Sequence, residues 1–155
     1  MSRCVAWCEK VHPWAEVPLR IVFSLIFIAH GGQKLFGWLD GPGITGFTGL
    51  LNQLGFAGAG FWSWVVGLVE FGGGILVLLG LLTPLAAGLI GVVMVVAIFK
   101  VHVTKGLLGA GGYEYPLMLF AVALSLMLSG AHKFALDAMW EKKKQAPPPG
   151  ARPVM

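Results

Sequence analysis

Apolar residues in this chain gather into long runs broken by glycine-rich polar stretches, with neither strand alternation nor a sustained heptad. A bilayer core of about 30 Å takes roughly 20 apolar residues of helix. The first run, Pro18 to Trp38 (PLRIVFSLIFIAHGGQKLFGW), meets that length; Pro18 suits a helix start, and Gly37 with Trp38 an interfacial end. The second is Phe61 to Leu82, after which Thr83-Pro84 predicts a tight turn into a third run, about 85–101. The fourth, about 115–128, is the shortest. Between the first two, residues 39–60 are too polar and glycine-rich to span, and FTGLLNQLGF within them predicts a short amphipathic helix, interfacial or re-entrant. The pattern predicts an all-α membrane protein: a four-helix transmembrane bundle over residues 18–138. An amphipathic arm at 1–17, with Trp7, His12 and Trp14 among charges, precedes it. A basic, proline-rich tail at 139–155 follows, with a composition that predicts disorder.

Composition sharpens this picture. The chain is 57% apolar and 12% charged, against roughly 45–50% and 25% in soluble domains. The net charge of +4 comes from Lys and Arg placed mainly near the ends, without interleaved aromatics, so no nucleic-acid footprint is present. With four spans, Arg3, Lys10, Arg20, Lys133, Lys142, Lys143, Lys144 and Arg152 share one side, and Lys34, Lys100 and Lys105 the other. The positive-inside rule then puts both termini in the cytoplasm and both long loops outside. No cleavable signal peptide is expected. Cys4 and Cys8 form a C-x3-C pair that would share a face of a helix, which allows metal or haem-adjacent chemistry, though the favoured reading is two incidental thiols; the spacing is not the C-x-x-C of a redox motif, and no second Cys pair completes a zinc site.

Candidate chemistry centres on Glu70, a carboxylate inside the second run. Such a group costs on the order of 2.5–3.5 kcal/mol at mid-bilayer unless it meets a partner or water. Counting about 1.5 Å of rise per residue from the outer span ends places His30 and Glu70 level, at roughly 12–13 Å depth. Lys34 sits one turn above His30 on the same face. Arg20 lies on nearly the same stripe, near the cytoplasmic end, where it is expected to snorkel. Gln33 joins the cluster, and the outer ends of the third and fourth spans bring Lys100, His102, Tyr113 and Glu114. His30, Gln33, Lys34, Glu70, Lys100, His102, Tyr113 and Glu114 thus form the predicted outer-leaflet polar site, while the inner half is almost wholly aliphatic. Nothing in their spacing predicts a metal site, a catalytic nucleophile or a covalent cofactor.

Several short motifs, in order, resemble the DoxX family of small bacterial membrane proteins. They are Arg20 opening the first span, Gly31-Gly32-Gln33-Lys34-Leu35-Phe36-Gly37, Glu70 to Gly73, and the turn at Gly80 to Pro84. GGYEYPL at 111–117 and GAHKFALD at 130–137 follow, with Ala135 where the family usually has Ser. The likeness covers about residues 18–138. It implies a multi-pass four-helix bundle in the bacterial cytoplasmic membrane. The family is named for a subunit associated with thiosulfate:quinone oxidoreductase, and other members are linked to thiol and oxidative-stress systems. The function so implied is an accessory subunit of a membrane redox complex, not catalytic alone, whose outer cluster takes a quinone or a small sulfur species. In that picture His30 and Glu70 handle a proton and Lys34 draws an anionic group. Its partners are the lipid bilayer and other membrane or redox subunits, or copies of itself. The rival reading is a non-catalytic membrane scaffold, and a third is a small proton-coupled carrier.

Overall fold

The computed structural model describes Trp7, Val11 and residues 14–131 and 133–138. The tail at 139–155, most of the arm at 1–17, and Cys4 and Cys8 lie outside the described residues. Five helices follow in order: α1 (Glu16–Phe36), α2 (Gly43–Gln53), α3 (Ala59–Leu79), α4 (Thr83–Ala97) and α5 (Glu114–Ser129). No strand occurs among the described residues. α4 runs on through a π-helical turn, Ile98–His102, and a 3-10 turn, Val103–Lys105. Glu16–Phe36, Ala59–Leu79 and Thr83–Lys105 are each long and apolar enough to cross a membrane; α5 is a shorter apolar helix. The all-α membrane bundle expected from the apolar runs is therefore the observed fold.

The spans pack chiefly in sequence order, α1 on α3, α3 on α4 and α4 on α5. Without a hydrophobic drive between helices in lipid, close backbone approach has to supply the packing. At the α1–α3 crossing it does. A Cβ added to Gly31 would stand 2.4 Å from the Phe71 nitrogen, one on Gly67 would meet Leu35 at 2.5 Å, and one on Gly74 would meet Ile28 and the Ser24 carbonyl at 3.0–3.1 Å. These contacts set one antiparallel register between the two helices. The main core lies beneath it, with Phe23, Phe27, Val77, Ile90 and Leu126 all at most 2% exposed. Val22, Leu25, Leu68, Val92, Met118 and Leu128 are exposed, as suits side chains facing lipid.

The bundle's two ends are built differently. At one, α3 stops at Gly80 (φ +64°), the chain turns through Leu82 (φ +49°), and Pro84 lies in the first turn of α4. The segment after α5 folds back here: the Asp137 carboxylate accepts the Leu82 N–H at 2.6 Å, and the Asp137 N–H donates to the Gly80 carbonyl at 3.1 Å. Arg20 ties these parts together. Its guanidinium donates to the carbonyls of Val77 (3.1 Å), Leu78 (3.0 Å), Lys133 (2.8 Å) and Phe134 (3.2 Å). Arg20 is 3% exposed, so the expected snorkelling does not occur. Its planar fork finds four orphan carbonyls at a helix end and a chain reversal, which hold it inward. Glu16, one turn earlier on α1, supplies a coulombic partner.

At the opposite end α2 lies across α1 and α3. Thr45, Asn52 and Gln53 are exposed, while Phe47 and Leu51, four residues apart, turn inward and pack with Ala59 in a small cluster separate from the main core. The short amphipathic helix expected within FTGLLNQLGF is thus present, shifted toward the N-terminus by a few residues.

Candidate functional site

Glu70 is 1% exposed on the face of α3 that meets α1. Its partner is Lys34, whose ammonium forms an ion pair and hydrogen bond with Glu70 Oε2. Lys34 keeps 22% of its side chain exposed. Above it sits α2: the Lys34 nitrogen is 5.2 Å from the centroid of the Phe47 ring, a cation–π distance. Two turns before Glu70, near the start of α3, Ser63 Oγ lies 2.7 Å from Thr48 Oγ1, fixing α2 to the helix that carries the carboxylate. The site is therefore a carboxylate buried at a glycine-lined crossing, neutralised by one lysine and roofed by an aromatic ring.

His30 does not meet Glu70. It is exposed and makes no hydrogen bond or ion pair among the described residues. The reason is register. Counting depth from the span ends assumed that Trp38 and Phe61 lie level, whereas Gly31 seated on Phe71 and Leu35 on Gly67 set Glu70 opposite the Gly32 turn. Around the helix His30 is rotated about 100° from Gly31 and Lys34 only about 60° in that direction, and the lysine stem is long enough to reach back. Gln33 is half-buried and packs against Gly41.

The remaining predicted residues stand on the other spans and do not converge on the pair. Lys100, in the π-turn, lies 5.6 Å from the centroid of Phe56, which follows α2. His102 Nδ1 is 2.6 Å from the Gly111 carbonyl and closes the loop before α5. Tyr113 sits at the N-cap of α5, its N–H donating to the Gly106 carbonyl, and Glu114 is exposed in that helix's first turn. Two apolar hollows open toward the bilayer, about 310 Å³ between α4 and α5 and about 250 Å³ between α3 and α4; neither is lined by Lys34 or Glu70. No group of three or more His, Cys, Asp or Glu gathers as a metal site among the described residues.

The features sequence reasoning missed are Phe47, Thr48 and Ser63 at the pair, and Arg20 as an interior clamp. Phe47 and Leu51 carried a signal, since an i, i+4 apolar pair on an interfacial helix has to face protein. Nothing local marks the Thr48–Ser63 contact.

Fold and site together define a small multi-pass α-helical membrane protein with a buried ion pair between its first two spans. Residues 15–103 match the model of the DoxX family. The chain belongs to that family. It is 36% identical over 140 residues to an uncharacterized protein of Haemophilus influenzae, covering 87% of this chain and 97% of the relative. It is 30% identical to an uncharacterized membrane protein of Mycobacterium tuberculosis, over 94% of each chain. A Bacillus subtilis protein named "Putative oxidoreductase CatD" is 29% identical over 82% of this chain and 87% of its own length. No solved structure matches the chain.

Proposed function

We propose that the protein is an accessory subunit of a membrane redox complex, not catalytic alone, that presents the Lys34–Glu70 pair to a quinone or a small sulfur species. The observation that carries this reading is the pair itself. A carboxylate sealed inside a span is costly to keep, and side chains of this kind mark ligand and proton sites more often than they mark packing. In this role Glu70 accepts a hydrogen bond or proton from the ligand, and Lys34, the more exposed partner, draws an anionic or partly reduced group. The residues 18–138 contain no cysteine, so electrons would pass through the bound molecule and its partner subunit. The name carried by the Bacillus subtilis relative points the same way. On this reading the protein sits in the bacterial cytoplasmic membrane with both termini inside, as the Lys and Arg distribution suggests, and α2 lies on the outer side.

A second reading, a non-catalytic scaffold, is favoured by one specific feature: the pair satisfies itself and lies between Gly31, Gly67 and Gly74, where it also locks the helices. Extraction in mild detergent separates the two. Co-extracted quinone and thiosulfate-dependent quinone reduction are measured with and without Glu70→Gln. The redox reading expects ligand or activity to be lost with folding intact. No ligand in either form, alongside a stably co-purifying partner, replaces it with the scaffold.

A further inference from the structure

α2 packs on α1 and α3 through an apolar cluster of its own. Its buried residues Phe47 and Leu51 join Ala59 in a satellite cluster and not the main core. Its polar fastenings are the Thr48–Ser63 contact and the Lys34 ammonium against Phe47. Lys100 adds a contact to Phe56 just beyond its C-terminus. Both connections turn on residues of positive φ: Gly37 (+74°), Leu39 (+53°) and Asp40 (+58°) before the helix with Gly43 (+60°) as its first residue, and Gly55 (+77°) and Gly58 (+70°) after it. At Gly55 and Gly58 an added Cβ would meet nothing within 4 Å, so it is backbone rotation and not crowding that calls for glycine there. Segments packed outside the main core, on connections that can rotate, are those that open while the rest stays folded. Phe47, the roof over Lys34, is itself 6% exposed, and the carboxylate beneath is 1% exposed. As long as α2 is closed, Glu70 has no contact with solvent worth the name.

We propose that α2 is a lid, hinged at Gly37–Gly43 and Gly55–Gly58, whose opening admits water and small polar solutes to the Lys34–Glu70 pair. Opening breaks the Thr48–Ser63 contact and lifts the Phe47 ring from Lys34. The hinges keep the helix attached, and the Gly31–Phe71 crossing keeps α1 and α3 together. This inference goes beyond the redox reading and does not depend on it.

The test uses the full chain with Cys4→Ser and Cys8→Ser, carrying Thr48→Cys and Ser63→Cys. The parent oxygens are 2.7 Å apart, so the two introduced thiols lie within bonding reach and oxidation locks the lid. The probe is a water-soluble carbodiimide. It activates the Glu70 carboxylate as an O-acylisourea; Lys34 Nζ then attacks the acyl carbon, the urea leaves with the carboxylate oxygen, and an amide joins the two side chains. Peptide mass spectrometry reads this crosslink as the loss of one water. The reduced protein is expected to crosslink about tenfold or more faster than the oxidised one, as for a site reached only by local opening, and reductant restores the rate. Phe47→Ala in the otherwise native chain, which needs no disulfide, is expected to speed the reaction. Equal rates locked and unlocked, an absence of crosslink in the unlocked form, or no acceleration by Phe47→Ala overturns the lid. Quinone plays no part in the readout, so this result and that of the redox test are separate.

Discussion

Arg20→Lys keeps the charge, length class and position of the side chain and removes only the planar fork. In the native protein that fork spans two groups of acceptors, Val77 and Leu78 at the end of α3, and Lys133 and Phe134 in the segment after α5. A hydrogen bond from a charged donor contributes on the order of 1.5–3 kcal/mol net, and such bonds on one group do not add fully. A single ammonium cannot straddle both groups, so at least two of the four acceptors, one buried and three part-buried, lose their donor. The expected loss is about 3 kcal/mol for Arg20→Lys, which shifts the folded-to-unfolded ratio roughly a hundredfold. Arg20→Ala, which removes the charge and all four bonds, is expected to cost more, about 3–5 kcal/mol. Reversible unfolding in mixed micelles, followed by tryptophan fluorescence, gives the free energies. Hydrogen exchange at the Asp137 amide, bonded to the Gly80 carbonyl, reports the clamp locally and is expected to lose its protection in both variants. If Arg20→Lys lies within about 0.5 kcal/mol of the parent and Asp137 stays protected, the fork is not what joins these segments.

The α1–α3 crossing offers a paired comparison. Gly31→Ala would put a methyl against the Phe71 backbone and is expected to cost about 1–3 kcal/mol, whereas Gly72→Ala, with nothing within 4 Å, should be neutral or slightly stabilising. Thermal unfolding in one detergent ranks the two, and a Gly31→Ala protein as stable as Gly72→Ala removes the close crossing from the account. Within the ion pair, Lys34→Met strands a buried carboxylate and is expected to cost about 3–5 kcal/mol, while the double variant Lys34→Met/Glu70→Met recovers most of that. The same unfolding assay measures both. A double variant as unstable as Lys34→Met alone shows that the pair does not act as a unit.

Much of the fold was readable because bilayer thickness imposes a length on each apolar run. Leu, Val and Gly in α3 and α4 announce spans; Thr83-Pro84, expected to form the turn between them, instead opens α4, and the turn falls at Gly80–Leu82 because Pro84 fits the first helical turn. α2 was readable too, as the amphipathic stretch FTGLLNQLGF, a few residues out of place. The candidate site was readable only as far as Glu70 and Lys34. Their pairing depends on a register of about three residues that Gly31, Gly67 and Gly74 settle by contact, and depth counted from span ends cannot resolve it. His30 lost its expected role for the same reason. Arg20 was misread because the acceptors that hold it belong to residues 77–78 and 133–134, more than fifty positions along the chain. Lys100, His102, Tyr113 and Glu114 share an end of the bundle, as expected, yet shared depth did not bring them to one point.

The two ends of the bundle also differ as mechanical parts. Around Arg20, α1, the end of α3, the α3–α4 turn and the segment after α5 are bolted into a closed ring by hydrogen bonds from one side chain, with Asp137 as a second bolt. At the far end no one side chain plays that part: the Lys34–Glu70 pair, the Phe47–Leu51–Ala59 cluster, the Phe36–Trp38–Phe71 rings and the Thr48–Ser63 hydroxyls each join two neighbours. The ion pair thus lies toward the end where α1 and α3 are joined by side-chain packing, and away from the ring that one guanidinium closes.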